Sequence, residues 1–222
     1  MSIGDAEIKT QERVIRFFKD PEILGYQYIG NLSDYQNKNI KEDRLRQYLR
    51  LKGYADKLID AAIMQLQQEA GNLSRGVYDA NKTVYSRLKY GIPVSESPEK
   101  PPVTVQLVDE EKPLNNDFAI AEEVTVVEQS EKRPDLVVYL NGIAVAVIEL
   151  KRSSISVSEG IRQNLTNQKN SFIQSFFTTM QFCMAGNESE GLRYGTLLTG
   201  EKFYMEWKDD GFKEHEEERD PV

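Results

Sequence analysis

The sequence predicts an α+β fold, in which helices flank a central mixed β-sheet and the N-terminal part is mostly helical. Two patterns support this prediction. Apolar residues recur at helical spacing through most of residues 1–92, whereas short runs rich in Val and Ile follow from residue 103 onward. A segment with four prolines, 93–102, lies between the two patterns and is predicted to be an exposed loop. The core sheet and its helices are therefore predicted over 103–208, with an acidic tail over 209–222.

The elements follow from periodicity and from the residues that end each run. The N-terminal helices stop at Gly or at Asp-Pro, which disfavour helix continuation. Helices are predicted at 7–19, 41–52, 58–71 and 74–90, with a short aromatic strand at 25–30. Strands are predicted at 103–108, 118–127, 136–140, 143–150, 193–198 and 203–207, with a polar helix at 158–169. The segment 172–184 is ambiguous, and is interpreted as a helix through Phe176 and Phe177 followed by a strand around Phe182.

The composition excludes several classes of protein. The 222 residues contain 39% apolar side chains, and no run approaches the roughly 18 apolar residues of a membrane helix. The N-terminus has no signal-peptide pattern, so we expect a soluble, cytoplasmic protein. The single cysteine, Cys183, excludes internal disulfides and Cys-cluster metal sites, and the single histidine, His215, excludes most zinc chemistry and nearly all Ser-His-Asp catalysis. Cys183 is predicted to be an inert core residue and His215 a solvated residue, so any chemistry must use carboxylates, Lys, Tyr or backbone groups.

The net charge of -8 argues against strong indiscriminate binding to nucleic acid. The charge is uneven, however. Residues 201–222 contain nine acidic and four basic residues, whereas 151–200 contains five basic and three acidic residues. A mildly basic face can therefore coexist with an acidic total.

The residues that most strongly indicate chemistry surround one predicted hairpin. Asp135 precedes the first strand, Asn141-Gly142 forms the turn, and the second strand carries Glu149 and leads into Lys151. Because residues 143–148 are apolar throughout, this strand is predicted to be central and covered on both faces.

The length of the turn decides whether the two acids can meet. A two-residue loop would place Asp135 and Glu149 on opposite faces of the sheet. A three-residue loop with Gly142 in the left-handed conformation would place both acids and Lys151 on one face, with the two Cα atoms about 7–8 Å apart. We adopt the three-residue loop, because two carboxylates at that separation can share one Mg²⁺ ion. The alternative is that Glu-x-Lys is an ordinary solvated strand pattern.

The motif also carries a family resemblance. Pro-Asp followed by Glu-Leu-Lys resembles the PD-(D/E)xK nuclease motif, and RPDLVVYLNGIAVAVIELKRS resembles the N-terminal nuclease domain of the type I restriction enzyme R subunit. The similarity extends over about residues 40–207. It implies a restriction-endonuclease-like core that cleaves double-stranded DNA with Mg²⁺. It also implies that Asp135, Glu149 and the Leu150 carbonyl bind the metal and that Lys151 assists attack.

The resemblance implies partners as well. R subunits act with modification and specificity subunits, and an ATP-driven motor follows their nuclease domain. This sequence contains no Gly-x-x-x-x-Gly-Lys-Ser/Thr loop, so we expect an N-terminal fragment that does not bind ATP.

Other residues of the site are predicted with the help of the resemblance. Gln163 occupies the glutamine position of the family's Gln-x-x-x-Tyr signature, but Asn167 stands where the tyrosine belongs, leaving Gln168 or Lys169 as substitutes in positioning DNA. Glu42 is a candidate third acid, and the alternative is a solvated residue in the first turn of its helix.

Several basic residues are candidate DNA contacts. Arg152, Arg162 and Lys169 are predicted to contact phosphates, because they lie near the predicted site. Four cations of the fourth helix region are interpreted as a solvated face, with DNA or partner contact as the alternative, and two tyrosines between them are predicted to be core residues. These are Arg75, Lys82, Arg87 and Lys89, with Tyr78 and Tyr85.

Three functions remain in competition at this stage. The leading hypothesis is a metal-dependent endonuclease domain. The second is a docking module whose nuclease-like fold only packs against other parts of a restriction complex. The third, a stand-alone repair nuclease, is disfavoured by the acidic charge.

Overall fold

The computed structural model describes residues 3–208, with side chains from residue 8 onward, so the acidic tail and His215 lie outside the described residues. Three short 3₁₀ helices, at Pro113–Asn115, Gln174–Thr179 and Glu201–Phe203, accompany the longer elements. In chain order these elements are α1 (Ile3–Lys19), β1 (Gln27–Asn31), α2 (Glu42–Leu51), α3 (Asp56–Gly71), α4 (Val77–Tyr90), β2 (Ile92–Val94), β3 (Val103–Val105), β4 (Phe118–Glu122), β5 (Val126–Val127), β6 (Glu131–Lys132), β7 (Leu136–Leu140), β8 (Ile143–Leu150), α5 (Val157–Asn167), β9 (Phe182–Asn187), β10 (Gly191–Gly195) and β11 (Met205–Glu206).

Seven strands form one mixed sheet in the order β1-β4-β7-β8-β9-β10-β11. β1 runs parallel to β4 and β8 parallel to β9, whereas the other neighbours are antiparallel. β8 occupies the middle of the sheet, and seven of its eight residues are buried. This arrangement confirms the predicted fold class, a central mixed sheet flanked by helices, and the central position of the apolar strand.

Helices cover both faces of the sheet. One face packs against the start of α4 and the 3₁₀ helix 174–179, through a core that includes Val77, Val147 and Phe177. The opposite face packs against α1 through Ile15. A third core lies between α2, α3, α4 and the small β2-β3 sheet. The helix-rich N-terminal part thus supplies β1 to the sheet and helices to both faces.

The hairpin between β7 and β8 differs from the predicted one. Leu140 pairs with Ile143, so Asn141-Gly142 is a two-residue turn, and the predicted three-residue loop is wrong. Both turn residues have positive φ, +52° and +83°, as the tightest hairpin turns require. The Asn141 side chain is buried, accepts from the Asp117 N–H and donates to the Leu107 carbonyl. These bonds stabilise the left-handed conformation of the turn.

A β-bulge in β8 restores the register that the site needs. Tyr139 pairs with Ala144, but Val138 pairs with Ala146, so Val145 is an extra residue in β8. Beyond the bulge the pairing shifts by one residue, which places Asp135 opposite Glu149. The two acids therefore lie on one face for a reason different from the predicted one.

Other sequence predictions also need correction. The strand predicted over 118–127 ends at Glu122, because Glu123 adopts a left-handed φ of +52°. The region predicted as a strand over 203–207 begins in a 3₁₀ helix, and only β11 is extended. Tyr78 and Tyr85 are exposed rather than buried in the core. The buried position predicted for Cys183 is confirmed, and burial raises the pKa of its thiol to about 12.

Candidate active site

Three predicted site residues meet where β7 begins and β8 ends. Oδ2 of Asp135 accepts a hydrogen bond of 2.6 Å from the Leu150 backbone N–H. Oε2 of Glu149 accepts a hydrogen bond of 2.6 Å from Nε2 of Gln163. Because Asp135 and Glu149 occupy opposite positions on neighbouring strands, the structure brings both carboxyl groups and the Gln163 amide into one cluster.

The Glu149 carboxyl group is fully buried, which is unusual for an acidic residue. Burial raises the pKa of Glu149 well above its usual range, the nearby Asp135 raises it further, and the charge of Lys151 opposes the rise. Oε1 of Glu149 is buried and accepts no hydrogen bond in the described part of the chain, although a side-chain hydrogen bond between Glu149 and the adjacent Asp135 carboxyl group also raises the pKa of Glu149. A buried carboxylate oxygen without a partner is costly in a folded protein unless a ligand or cation compensates it.

Lys151 follows Glu149 by two positions and is half-buried. Its backbone N–H donates to the Gly186 carbonyl over 2.9 Å, so pairing with β9 continues past the end of β8. This hydrogen bond fixes the backbone of Lys151 beside β9, directly after the end of β8. The positive charge of Lys151 favours the ionised form of the buried Glu149 carboxyl group and so lowers its pKa, against the effect of burial.

α5 positions Gln163 over the sheet. The Ser156 hydroxyl caps the helix by accepting from the Ser158 N–H, and Glu190 accepts from the Val157 N–H. Gly160 lets the helix approach closely, since a Cβ atom there would lie 3.0 Å from the Cβ of Ala185 and 3.4 Å from that of Glu149. Gln163 lies about one turn further along and reaches the Glu149 carboxyl group.

The sequence analysis missed a polar group beside the cluster. The Glu123 N–H donates to the Asp135 carbonyl over 2.8 Å, and its charge contributes to the raised pKa of Glu149. The Glu123 carboxylate pairs with Arg133 at 2.7 Å, and the buried Gln11 of α1 donates to it at 3.2 Å. In the structure Phe118 pairs with Leu140, and this register places Glu123 opposite Asp135. The register between these two strands was not predicted from the sequence, so Glu123 could not be assigned to the site.

Glu42 does not belong to the cluster. It begins α2, and the neighbouring Ile40 bridges to Ile143 at the opposite end of β8. Six residues of extended strand, about 20 Å, separate Ile143 from Glu149. Glu42 instead pairs with Arg46 at 3.1 Å and accepts from Gln67. The expected third acid is therefore a surface residue of the helix's first turn.

Gln168 and Asn167 are also not available for DNA. Both side chains are buried. The Gln168 amide accepts from the Leu198 N–H at 2.7 Å and donates to the Cys183 sulfur at 3.5 Å, so it joins α5 to the sheet. Lys169 lies just after α5 and is exposed, which leaves it as the accessible residue of the proposed substitutes.

The two arginines predicted as DNA contacts differ in their surroundings. Arg162 is half-exposed and forms ion pairs with Glu159 at 2.7 Å and Glu201 at 3.1 Å. These carboxylates already neutralise its charge, which weakens the case for a phosphate contact. Arg152 lies in the turn directly after Lys151 and is partly exposed.

The donor set fits a hard divalent cation. Mg²⁺ sites use one or two protein carboxylates, with water and substrate phosphate completing the shell. Asp135 and Glu149 supply two such carboxylates, and the unpartnered Oε1 of Glu149 is an orphaned acceptor of the kind a cation would satisfy. Among residues 3–208, no three His, Cys, Asp or Glu side chains are grouped closely enough to enclose a metal.

Comparison with known proteins identifies a family. The family model described as "Type I restriction enzyme R protein N terminus" matches residues 7–203 of the chain. The match includes every residue of the cluster described above. No curated protein matches the chain at a significant level. None of the described helices is long and apolar enough to cross a membrane.

Proposed function

Because the chain belongs to the family of type I restriction enzyme R protein N termini, we propose that it is a Mg²⁺-dependent endonuclease domain for double-stranded DNA. In this proposal water hydrolyses a phosphodiester bond of one strand, leaving a hydroxyl group on one end and a phosphate group on the other, and a double-strand break needs one such hydrolysis in each strand. The catalytic residues are Asp135, Glu149, Lys151 and Gln163.

One observation carries the proposal: a fully buried Glu149 carboxyl group, whose Oε1 atom accepts no hydrogen bond, lies directly beside the Asp135 carboxyl group. Leaving such an atom unsatisfied costs on the order of 1–3 kcal/mol, and more for a charged group. A docking module gains nothing from this cost, because an apolar residue at the end of β8 would pack at least as well. A nuclease needs it, because a metal ligand must retain a free oxygen.

Each residue of the cluster has a distinct role in the proposed reaction. Asp135, Glu149 and the Leu150 carbonyl would hold Mg²⁺, which when bound polarises the scissile phosphate and lowers the pKa of a water molecule. Gln163 fixes the Glu149 side chain through its 2.6 Å hydrogen bond, leaving Oε1 for the metal. Lys151 orients the attacking water and offsets the negative charge that develops on the phosphate oxygens.

The proposed partners follow from the family. The domain acts in a restriction complex with modification and specificity subunits, in the cytoplasm, where its DNA substrate is found. An ATP-driven motor delivers DNA to it, so the local concentration of DNA replaces intrinsic affinity. ATP binds to the motor and not to this domain.

The metal site is tested by thermal unfolding during titration with Mg²⁺ or Mn²⁺. We expect the wild-type chain to gain stability with increasing metal and Asp135→Ala to gain none, because binding to the native state alone raises the free energy of unfolding. Glu42→Ala is the matched control, since it also removes one carboxylate but lies at the other end of β8. Equal responses in all three proteins would contradict the metal assignment and favour the docking module.

A further inference from the structure

One exposed face of α4 combines cations with aromatic side chains. Tyr78, Lys82, Tyr85 and Lys89 recur at spacings of four and three residues, which places them within about 60° around the helix axis. All four are exposed, and the tyrosines have 58% and 49% of their surface accessible. We call these four residues the α4 ridge. The exposed Arg75 extends it beyond the N-terminus of the helix.

Basic residues on and next to the α4 ridge lack the ion pairs that neutralise other basic residues of the protein. Neither Arg75 nor Lys82 forms an ion pair with any acid in the described part of the chain. Arg87, on a different side of the same helix, forms two hydrogen bonds of 2.8 Å to Glu69. Asp79, the single acid of α4, lies about 60° from Lys82 around the helix and lines the same cleft, but it forms no ion pair with Lys82 or Arg75 in the described part of the chain. The ridge therefore keeps its positive charge although the protein as a whole is acidic.

A polar cleft of about 540 Å³ adjoins the ridge. Arg75 and Lys82 contribute to its lining together with hydroxyl and amide side chains. The other contributors are Asn72, Ser74, Ala80, Thr83 and Ser86, with two acids, Glu69 and Asp79. Glu69 is already paired with Arg87, at 2.8 Å. Hydroxyl, amide and basic side chains are the groups that most often hold the phosphates and sugars of DNA.

The α4 ridge belongs to the catalytic side of the sheet. Val77 at the start of α4 shares a core with Val147 and Cys183. Side chains two positions apart on a strand point to the same face, so Glu149 and Ala185 lie on this face as well, under α5. α4 and α5 therefore cover the same side of the sheet, whereas α1 covers the other.

We propose that the α4 ridge and the adjoining cleft bind the sugar-phosphate backbone of duplex DNA. The inference rests on the proposed nuclease function and adds a contact remote from the cleaved bond. Arg75, Lys82 and Lys89 follow one another at intervals of seven residues. Seven residues are about two helical turns, so the two lysines are about 10.5 Å apart along the helix axis. Cations at this spacing reach separate phosphates, and the tyrosine hydroxyls add hydrogen-bond donors.

The test measures binding of the chain to a fluorescently labelled duplex of about 20 base pairs, in EDTA and at about 50 to 200 mM salt. We expect Arg75→Gln combined with Lys82→Gln to lower affinity at least tenfold at the lower salt. The slope of log K against log salt should become shallower by about 2, because each lost phosphate contact removes about 0.9. Tyr78→Phe and Tyr85→Phe should weaken binding further without changing the slope.

The matched control is Arg16→Gln combined with Lys19→Gln in α1. It makes the same change in net charge on the opposite side of the sheet. Equal losses in both double variants would overturn the proposal, because they would show only an effect of total charge. No binding by the wild-type chain, or tighter binding to a single strand of the same sequence, would also overturn it.

The readout separates this inference from the nuclease proposal. Binding in EDTA needs no metal and no cleavage, so a failed metal titration leaves the binding result intact. Conversely, the Arg75 and Lys82 double variant should keep the metal-induced thermal shift of the wild-type chain. A loss of that shift would show that the substitutions damage the fold, and a charge-preserving pair, Arg75→Lys with Lys82→Arg, then decides whether binding follows charge.

Discussion

Glu149 places an ionisable group where it has no contact with solvent, with Asp135 beside it. Ionising such a group costs free energy in the folded state, where it is buried, but not in the unfolded state, where water solvates the charge. The raised pKa of Glu149 therefore means that the metal-free domain is less stable at neutral pH than its packing alone would make it. The domain is therefore less stable, but it keeps a carboxylate oxygen that can bind a cation.

Replacing this carboxyl group by an amide should stabilise the metal-free chain. We expect Glu149→Gln to raise the free energy of unfolding in EDTA at pH 7 by about 1–3 kcal/mol, because the amide keeps the shape and carries no charge. Urea unfolding of both proteins measures the difference. In the same variant Mg²⁺ should no longer add stability, and an unchanged or lower stability in EDTA would contradict the assignment of an unsatisfied carboxylate.

The pH dependence has a definite sign. Below the pKa of an unfolded Glu, about 4.3, the carboxyl group is protonated in both states and contributes no difference. Above it, the folded state holds a proton that the unfolded state releases, so stability falls as pH rises, until the raised pKa is passed. The advantage of Glu149→Gln should thus grow from near zero at about pH 4 towards neutral pH.

At the scale of elements, the β7-β8 hairpin is anchored to α2 through Gly142. Its φ is +83°, and a Cβ atom there would lie 2.7 Å from the Lys41 carbonyl oxygen and 2.8 Å from the Leu45 nitrogen. The Lys41 N–H also donates to the Gly142 carbonyl over 2.7 Å. The turn is therefore held both by its backbone conformation and by close contact with the start of α2.

A comparison of Gly53 with Gly142 separates the effect of the backbone conformation from the effect of the close contact with α2. Gly53 has nearly the same φ, +85°, but no atom lies within 4 Å of the Cβ position. We expect Gly53→Ala to cost about 1 kcal/mol from backbone strain alone, and Gly142→Ala to cost at least about 2 kcal/mol more because backbone atoms must move. Denaturant unfolding gives both values. Similar costs at the two positions would show that the start of α2 shifts easily to make room for the added Cβ atom.

The site could be predicted from the sequence only where it depends on local structure. Asp135, Glu149 and Lys151 belong to one hairpin, and Gln163 follows on the next helix, so their proximity needs little tertiary information. The bulge at Val145 could not be predicted, because a Val in a run of Val and Ala carries no mark of being an extra residue. The predicted loop was one residue too long. The extra residue of the bulge shifts the register by one, so the two acids still lie on the same face.

Predictions that required tertiary packing were less successful. Glu42 was placed at the site although α2 packs at the turn end of β8, a position that only the bridge between Ile40 and Ile143 reveals. Tyr78 and Tyr85 were assigned to the core because their spacing fits an apolar stripe. The stripe that is buried instead contains Val77, Val84 and Leu88. Periodicity alone did not identify the face that α3 covers.

At the scale of the whole molecule, we expect substitutions in the proposed nuclease site to leave the activity of the proposed motor unchanged. In a restriction complex whose R subunit carries this domain, we expect Lys151→Ala to abolish DNA cleavage and to leave ATP hydrolysis and translocation largely intact. The reason is that Lys151 lies at the end of β8 beside the buried Glu149 carboxyl group, in the proposed nuclease site, whereas ATP is proposed to bind to the motor. Plasmid cleavage and ATPase assays on the same preparation measure both. A parallel loss of the two activities would indicate misfolding or uncoupling.

The pairing of β1 with β4 limits the order in which parts of the chain can fold during synthesis. Gln27 pairs with Ala119, so β1 must wait for more than ninety further residues before its neighbour exists. At a synthesis rate of about 5–20 residues per second, this wait lasts on the order of 5 to 20 s. Gln11 contacts Glu123 only after a longer delay, because 112 residues separate them. A nascent chain therefore completes its helical part first and assembles the surroundings of the carboxyl cluster last.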